Sequence, residues 1–535
     1  LITTKDPEAL EILRHSAAHV MAQAILHLYK DAKLTIGPAV EDGFYYDIDM
    51  EPVSEDNFEK IEAEMKKSIE AKLPFERRVV SKSEALEFYK DEPYKLEMIS
   101  ELKEGTISFY KHGEFTDLCR GPHLPHTGFI KAIKLMKVSG AYWRADQTKA
   151  QLQRIYGTAF FSKKELDEYL YFLEEAKKRN HRKIGIALDL FSFHDEAPGM
   201  PFFHPKGINI WNCLLDYWRI EHRRAGYVET KTPVLLNRSL WEKSGHWENY
   251  RENMYTSLVE AEEYAIKPMN CPGGMLIYGM KQHSYKDLPI RAAEIGLVHR
   301  HELSGVLSGL FRVRAFHQDD AHIFMRPDQI ENEILGVLKL VKRIYNTFGL
   351  GFHLELSTRP EKSIGTDRQW DLTTQGLKAA LDTYGEDYKI NEGDGAFYGP
   401  KIDVHIKDAL GRTWQCGTIQ LDMSLPERFD LSYIDSNNEK QRPIMIHRVI
   451  YGSIERFFGI LIEHFAGKFP LWMAPVQTIL LPINDDLVPH ANDVRIKLEK
   501  AGIRTEVDDR AESLNKKVRD AQLSNIPLIL TIGDK

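Results

Sequence analysis

After Pro475 the sequence alternates apolar extended runs with helical patterns. Apolar residues fill 478–483, a helical pattern follows at 489–501, an extended piece at 504–507, a second helical pattern at 513–523 and an apolar run at 527–532. Extended runs separated by helix-length inserts cannot be joined by hairpins, so this region predicts a small βαβαβ unit with a parallel sheet. The stretch before it, 190–474, mixes strand-like and helical segments without that alternation and predicts an α+β core. At roughly 150 residues per domain, 535 residues leave room for three or four domains. The first residue is Leu1 rather than Met, and the chain stops at Lys535 directly after a strand pattern. Both ends therefore read as cut from a longer polypeptide.

Composition removes several classes. Hydrophobic residues at 43% and charged residues at 28% exclude a disordered or collagenous chain. No apolar run approaches the roughly 18 residues of a membrane span, and no signal sequence opens the chain, so a cytoplasmic address and no membrane are expected. Cys119, Cys213, Cys271 and Cys416 lack paired spacing, which suits reduced thiols or metal ligands better than disulfides. A net charge of −8 argues against a general nucleic-acid coat, although the basic run Lys177-Lys-Arg-Asn-His-Arg-Lys183 is either a solvated helix end or a phosphate contact.

Near the start, Leu10, Leu13, Ala17, Val20, Met21, Ala24 and Leu28 form a helical stripe, which places His15 and His19 on the opposite face. A strand is expected over 43–49, a charged helix over 54–72 and apolar extended pieces over 130–138, with this region closing near Tyr142. One long charged helix is expected over 163–183.

Three groups of residues carry possible chemistry. His15 and His19 sit four apart on a helix and can meet at one metal ion or water; Cys119-Arg-Gly-Pro-His123, with Asp117 before it, adds two further donors. Surface histidines with a structural cysteine remain the plain alternative. In the core, Arg300, Arg312 and Arg314 suit polyphosphate and carboxylate oxygens, while Glu302, Asp319 and Asp320 suit Mg2+ or an amino group. No phosphate-cradling glycine loop is present, so ATP would be held by arginines. Along 414–422 a period of two puts Gln415, Gly417 and Ile419 on one face and Cys416, Thr418 and Gln420 on the other.

These residues resemble a known family. Pro205-Lys-Gly207 with Arg219 and Thr232-Pro233, the stretch from Arg300 to Phe316, and the stretch from Gly452 to Arg456 are similar to motifs 1, 2 and 3 of class II aminoacyl-tRNA synthetases. Met269-Asn-Cys-Pro-Gly-Gly274, Gln318-Asp-Asp-Ala-His322 and Pro443-Ile-Met-Ile-His447 resemble the threonyl-tRNA synthetases more narrowly, and the likeness runs from about His15 to Lys535. It implies a multidomain α/β and α+β chain: an α+β editing domain (1–162), a helical linker (163–189), a class II antiparallel-sheet catalytic domain (190–474) and an incomplete α/β anticodon-binding domain (475–535).

The resemblance also implies chemistry. Cys271, His322 and His447 would bind one Zn2+, which separations of 51 and 125 residues do not reveal. Threonine would reach that ion through its amino and hydroxyl groups, so valine would be rejected on the order of 10^4-fold. Serine, lacking only a methyl, would be excluded by only about 1–3 kcal/mol, which makes editing necessary. His15, His19, Cys119 and His123, with Lys95 and Asp117, would hydrolyse seryl-tRNA through ordered water. For activation, Arg300 would hold the α-phosphate and the threonine carboxylate, Arg312 and Arg456 the γ-phosphate, Phe316 the adenine ring and Glu302 its amino group, with Mg2+ on ATP. Gln318, Asp320 and Tyr398 would line threonine, Lys401 and Gln415 would lie close by, and His246 would accept a proton during transfer to tRNA(Thr). A homodimer through motif 1 is implied. The chain departs from the family in having only Gly452 in the motif 3 turn and no ubiquitin-like domain ahead of the editing region. A stand-alone metal-dependent hydrolase and a catalytically inactive RNA-binding paralogue are the competing readings.

Overall fold

The computed structural model describes residues 2–4, 6–146 and 148–533. They form two compact units, Leu1–Glu174 and Glu175–Lys535.

The first unit is built around the helix Pro7–Leu28, which begins with proline at a position where the missing N–H costs nothing. Leu13, Ala17, Val20, Met21 and Ala24 are fully buried, as the apolar stripe requires. They pack with Phe44, Tyr46 and Ile48 of the strand Gly43–Asp49, and with Ile61 and Met65 of the helix Phe58–Glu70. The other face of the first helix is not open: His19 is 2% exposed and Gln23 3%. Phe115 meets the His19 ring, and Ser68 donates to Gln23. The helix is therefore enclosed on both sides, and its histidines face a second layer, the strands Glu76–Val79, Ser108–His112 and Phe115–Leu118.

The region does not close at Tyr142. The strand Gln151–Phe160 follows and pairs antiparallel with both Gly43–Asp49 and Ala132–Tyr142 inside a five-stranded sheet. Its apolar alternation is diluted by Gly157, where a Cβ would come within 2.5 Å of the Phe44 ring. Nor is 163–183 one helix. Lys163–Lys178 ends, and His181–Ala187 begins anew because the Asn180 side chain accepts from the backbone N–H groups of Arg182 and Lys183.

The second unit holds an eight-stranded sheet in the order Val228–Glu229, Ile290–His299, Ala315–Met325, Ile444–Val449, Thr413–Asp422, Lys401–Lys407, Gly351–Ser357, Tyr388–Asn391. All its pairings are antiparallel except the outermost pair at each edge. One face carries Ile323, Ile446, Ile419, Leu421, Val404 and Leu356 into the main core. The helix Ile330–Thr347 covers it with Ile334, Val337, Leu338, Val341 and Ile344 at three- and four-residue spacing. Truncating one of these to alanine costs about 2–5 kcal/mol. The opposite face is polar except at one end, where Phe324 and Met445 pack in a second cluster with Cys271, Met275 and Tyr278.

Thr478–Pro482, Thr505–Val507 and Leu528–Ile532 form a parallel three-stranded sheet with the first strand central, joined through the helices Val488–Lys500 and Leu514–Leu523. This is the βαβαβ unit the alternation predicts. Among the described residues no helix is long and apolar enough to cross a membrane.

Candidate functional site

On the polar face of the large sheet, antiparallel register sets His322 opposite His447. Cys271 opens the helix Cys271–Gly279 and brings its thiol to the two rings, so that one donor atom from each residue lies within 4.8 Å of the others. Burial pushes the Cys271 thiol well above its usual range and takes His322 down to about 4. His447 Nε2 donates to Asp422 Oδ2 at 2.9 Å, and His322 Nε2 has no hydrogen-bond partner among the described residues, with Asp320 Oδ2 at 3.8 Å. A cation would replace the thiol proton, satisfy that nitrogen and balance the two carboxylates. Cys/His/His is a donor set suited to zinc, it leaves positions open, and a carboxylate behind a ligating histidine is a common outer partner. The residues fit the ion.

Around this set, Asp320 accepts from Asn270 Nδ2 at 3.2 Å, and the buried Tyr398 hydroxyl donates to Gln420 Oε1. Gln318 lies two residues from Asp320 on the same strand. Lys401 pairs with Asp403 at 2.8 Å and Asp394 at 3.1 Å; Gln415 Nε2 donates to Asp403 Oδ1 at 2.5 Å. The expected alternation along 414–422 breaks because the register against Lys401–Lys407 shifts between Val404 and His405. This bulge brings Gln415 to the same Asp403 carboxylate as Thr418, while Cys416, Gly417 and Ile419 turn to the core side. Gln420 was not among the candidates, although its place opposite His447 in the sheet makes it a neighbour of the cluster.

The arginines separate by role. Arg300 Nε donates to the Pro268 carbonyl at 3.2 Å, and its guanidinium stands 5.1 Å from the Phe316 ring. Arg312 is exposed and pairs with Glu302 at 2.9 Å. Arg456 Nε is buried without a partner among the described residues, at the start of the helix Ile454–His464. Arg314 does not join them: it donates to the carbonyls of Glu302 at 2.9 Å and Pro198 at 3.2 Å and holds the loop. Asp319 is turned to the backbone instead. It is fully buried and accepts from the N–H groups of Ile450 and Tyr451 at 3.0 Å and Gly452 at 2.9 Å, so it shapes the turn before Arg456; burial still raises its pKa to about 6. Gly452 has φ of 83°, and a Cβ there would sit 2.6 Å from the Cys416 carbonyl oxygen. His246 has no exposed surface; its Nδ1 meets Ser244 Oγ at 2.8 Å and its Nε2 stands 3.9 Å from Cys271 Sγ. Burial lowers its pKa to about 3.

The first unit has its own site, a cavity of about 850 Å³ whose walls include His15, His19, Lys95, Asp117, Cys119 and Trp143. Cys119 Sγ is hydrogen-bonded to His15 Nε2 at 3.3 Å and to His123 Nε2 at 3.2 Å, and His123 Nδ1 meets Ser16 Oγ at 3.0 Å. Lys95 Nζ donates to Asp117 Oδ1 at 2.5 Å, deep enough that both side chains are 3% exposed. Burial lowers the pKa of His15, His19 and His123 and raises that of Cys119 to about 11, so the set is uncharged at neutral pH. Tyr46 was missed. Its hydroxyl donates to Asp117 Oδ2 at 2.5 Å, and the inward phase of Gly43–Asp49 is the signal that pointed to it. His112 was missed too: buried, with neither ring nitrogen bonded among the described residues, it is driven to about 4.

Comparison with known proteins fits this geometry. Residues 255–465 match the tRNA synthetase class II core domain (G, H, P, S and T), 107–156 the threonyl and alanyl tRNA synthetase second additional domain, and 477–535 the anticodon binding domain. A threonine–tRNA ligase of Desulfosudis oleivorans is 74% identical over 535 residues, covering 100% of this chain and 84% of that protein. One from Caldanaerobacter subterraneus is 58% identical over 539 residues, again covering 100% and 84%. The solved RNA binding domain of a threonyl-tRNA synthetase from Cryptosporidium parvum shares 45% identity at a TM-score of 0.65, over 66% of this chain and 90% of that one. Neither the stand-alone hydrolase nor the inactive paralogue finds support in these matches. The chain belongs to the threonine–tRNA ligases, with a class II synthetase core, a second additional domain and an anticodon-binding domain.

Proposed function

We propose that this ligase activates threonine with ATP on the polar face of its large sheet, passes it to tRNA(Thr), and hydrolyses seryl-tRNA in its N-terminal cavity. The observation that carries the reading is the meeting of Cys271, His322 and His447, from three separate elements, beside Asp320 and Tyr398. Held there, Zn2+ would offer open positions to the amino and hydroxyl groups of threonine and so tell it from valine.

The chain's own groups orient the rest. Asp320 faces the amino group, and Tyr398, held through Gln420, closes the pocket with Gln318. Arg300, whose guanidinium stands 5.1 Å from the Phe316 ring, would bridge the threonine carboxylate and the α-phosphate of ATP. The carboxylate oxygen attacks the α-phosphorus, the bond to the β-phosphate breaks, and pyrophosphate leaves; a fixed guanidinium stabilises the charge on the oxygens as it builds. Phe316 supplies a stacking face for adenine, Glu302 its amino-group acceptor, and Arg312 and Arg456 grip the γ-phosphate, with Mg2+ entering on ATP. Lys401 and Gln415, both anchored on Asp403, border the same face. His246 is neutral, as an acceptor of the ribose proton must be, and burial makes it a weak base.

In the N-terminal cavity, neutral His15 and His19 can take a proton from water, His123 is held on Cys119 and Ser16 behind them, and the Lys95–Asp117 pair lines the same wall. We further assign the chain a cytoplasmic, homodimeric state. The helix Pro205–Arg224 presents exposed Ile208 and Ile220, which supports a paired surface.

The test is amino-acid-dependent ATP–pyrophosphate exchange with threonine, serine and valine, with and without a zinc chelator. Strong exchange with threonine, weaker with serine, none with valine, and loss on chelation is expected. Equal exchange with valine, or full activity in protein shown to be metal-free, overturns the reading.

A further inference from the structure

A third set of donors lies on the same polar face of the large sheet as the core set, two and three strands away from His447. His353 and Glu355 lie two apart on Gly351–Ser357 and so project from the same face of the sheet, while Leu354 and Leu356 enter the core on the other. The register sets His353 directly opposite His405 of Lys401–Lys407. The two imidazoles stack, with centroids 4.9 Å apart and planes 11° apart. Glu355 lies between their tips: one carboxylate oxygen is 3.5 Å from His353 Nε2, the other 3.5 Å from His405 Nε2.

This spacing is that of ligands around an ion. Bonds of about 2.0–2.2 Å from zinc to imidazole nitrogen and carboxylate oxygen give a tetrahedral edge of about 3.4 Å. The donor atoms of all three residues already lie within 4.8 Å of one another, so little closing motion is needed. Glu355 has no other ion-pair partner among the described residues than these two histidines. His353 Nδ1 is buried without a partner, again among the described residues, so Glu355 and His405 are the polar groups its ring has to work with. Burial, and then the neighbouring His405, lower the pKa of His353, which favours the neutral ring that ligates a metal. Lys389 and Lys407 also act on His353 and oppose a cation, which points to weaker binding than at the thiol-containing core set.

We propose that His353, Glu355 and His405 form a second site for a divalent cation of the zinc class, with two imidazoles, one carboxylate and an open position toward solvent. Two histidines and a glutamate are a recurrent zinc set, and the absence of a thiol separates this site chemically from the other two. It would tie the strands Gly351–Ser357 and Lys401–Lys407 together next to Asp403, which sits opposite Glu355 and anchors Lys401.

Co2+ is the probe, added to the full chain with its tight site already filled by zinc. One further equivalent should bind at micromolar cobalt, with visible d–d absorption and no near-ultraviolet thiolate-to-cobalt band. His353→Gln with His405→Gln should lose that equivalent while zinc content and basal pyrophosphate exchange stay unchanged. Glu355→Gln, which leaves both strands' aromatic contacts intact, should weaken it. No further equivalent at submillimolar cobalt overturns the site. So does an equivalent that brings a thiolate band, which would place it at Cys119, or one that persists in Glu355→Gln at unchanged affinity.

Discussion

The N-terminal and core donor sets use the same residue types, yet their surroundings differ. In the first unit Cys119 is hydrogen-bonded to both His15 and His123, and His123 also to Ser16, so much of the set is satisfied from within. The carboxylate beside it, Asp117, is already neutralised by Lys95 at 2.5 Å. In the core, His322 Nε2 has no partner among the described residues, and Asp422 and Asp320 both flank the rings. Cysteine and histidine in a cluster therefore do not define a metal site by themselves. Both sets keep a buried ring nitrogen without a partner among the described residues, His19 Nδ1 and His322 Nε2, so charge discriminates: fixed carboxylates favour a cation, whereas a neighbouring ammonium and mutual hydrogen bonds favour water chemistry.

The largest effect expected from that contrast is at Cys271. Cys271→Ser should strip the core of bound zinc and lower threonine-dependent exchange on the order of 10^4-fold, the discrimination a hydroxyl-directed site achieves. Cys119→Ser should leave metal content and exchange as they are. Metal analysis beside exchange rates decides this, and equal metal loss in the two variants would break the comparison.

Next is the double change His15→Ala with His19→Ala. Hydrolysis of seryl-tRNA should fall about 10^3-fold, within the range of general acid–base catalysis, while threonine activation is unchanged. Deacylation at the normal rate would remove the N-terminal set from editing and leave the cavity without a chemical role.

Acid stability tests the first unit by itself, since the core also buries His246 and His322 at lowered pKa. His112 is driven from 6.5 to about 4 by burial, so its neutral form belongs to the folded state. Below the unfolded value of about 6.5 the unfolded chain takes up the proton first, and stability is lost as pH falls toward the folded value. At about 1.4 kcal/mol per pH unit, the loss by pH 4 is on the order of 3 kcal/mol. His112→Leu should flatten this acid limb in denaturant melts that follow the first unit. An unchanged limb would assign the loss to His15, His19 and His123 instead.

What the sequence made legible follows how local the signal is. The C-terminal alternation, the strand at Gly43–Asp49 and the charged helix ending at Glu70 are set by patterns within about ten residues, and they stand where the patterns put them. The break at Asn180 was hidden because one capping side chain outweighs a continuous charged pattern. Gln151–Phe160 was hidden because its inward positions include Gly157 and Ala159, small residues that make room for Phe44 rather than announcing a strand. At the site, the roles of Asp319 and Arg314 were legible as charged residues near motif 2 but not as supports, since their partners Gly452 and Pro198 lie far away in the chain. The Cys271, His322 and His447 set came only through resemblance, because sheet register, not spacing, brings it together.

The smallest effect is the most pointed one. Asp422 has two tasks: Oδ1 accepts from the N–H groups of Ser424 and Leu425, and Oδ2 accepts from His447 Nε2. With Nε2 so occupied, Nδ1 is the nitrogen His447 has left for a metal. Asp422→Asn can keep the bonds to Ser424 and Leu425 through its carbonyl oxygen, but its amide then donates toward Nε2, which favours the tautomer with the proton on Nδ1 and removes the lone pair a ligand needs. Zinc affinity by chelator competition should therefore weaken about 10–100-fold, as outer-partner changes do, with the melting temperature little altered. Unchanged affinity would mean that Asp422 serves only the N–H groups of Ser424 and Leu425 at the start of a short helix. The negative charge that distinguishes the core set from the N-terminal one would then rest on Asp320 alone.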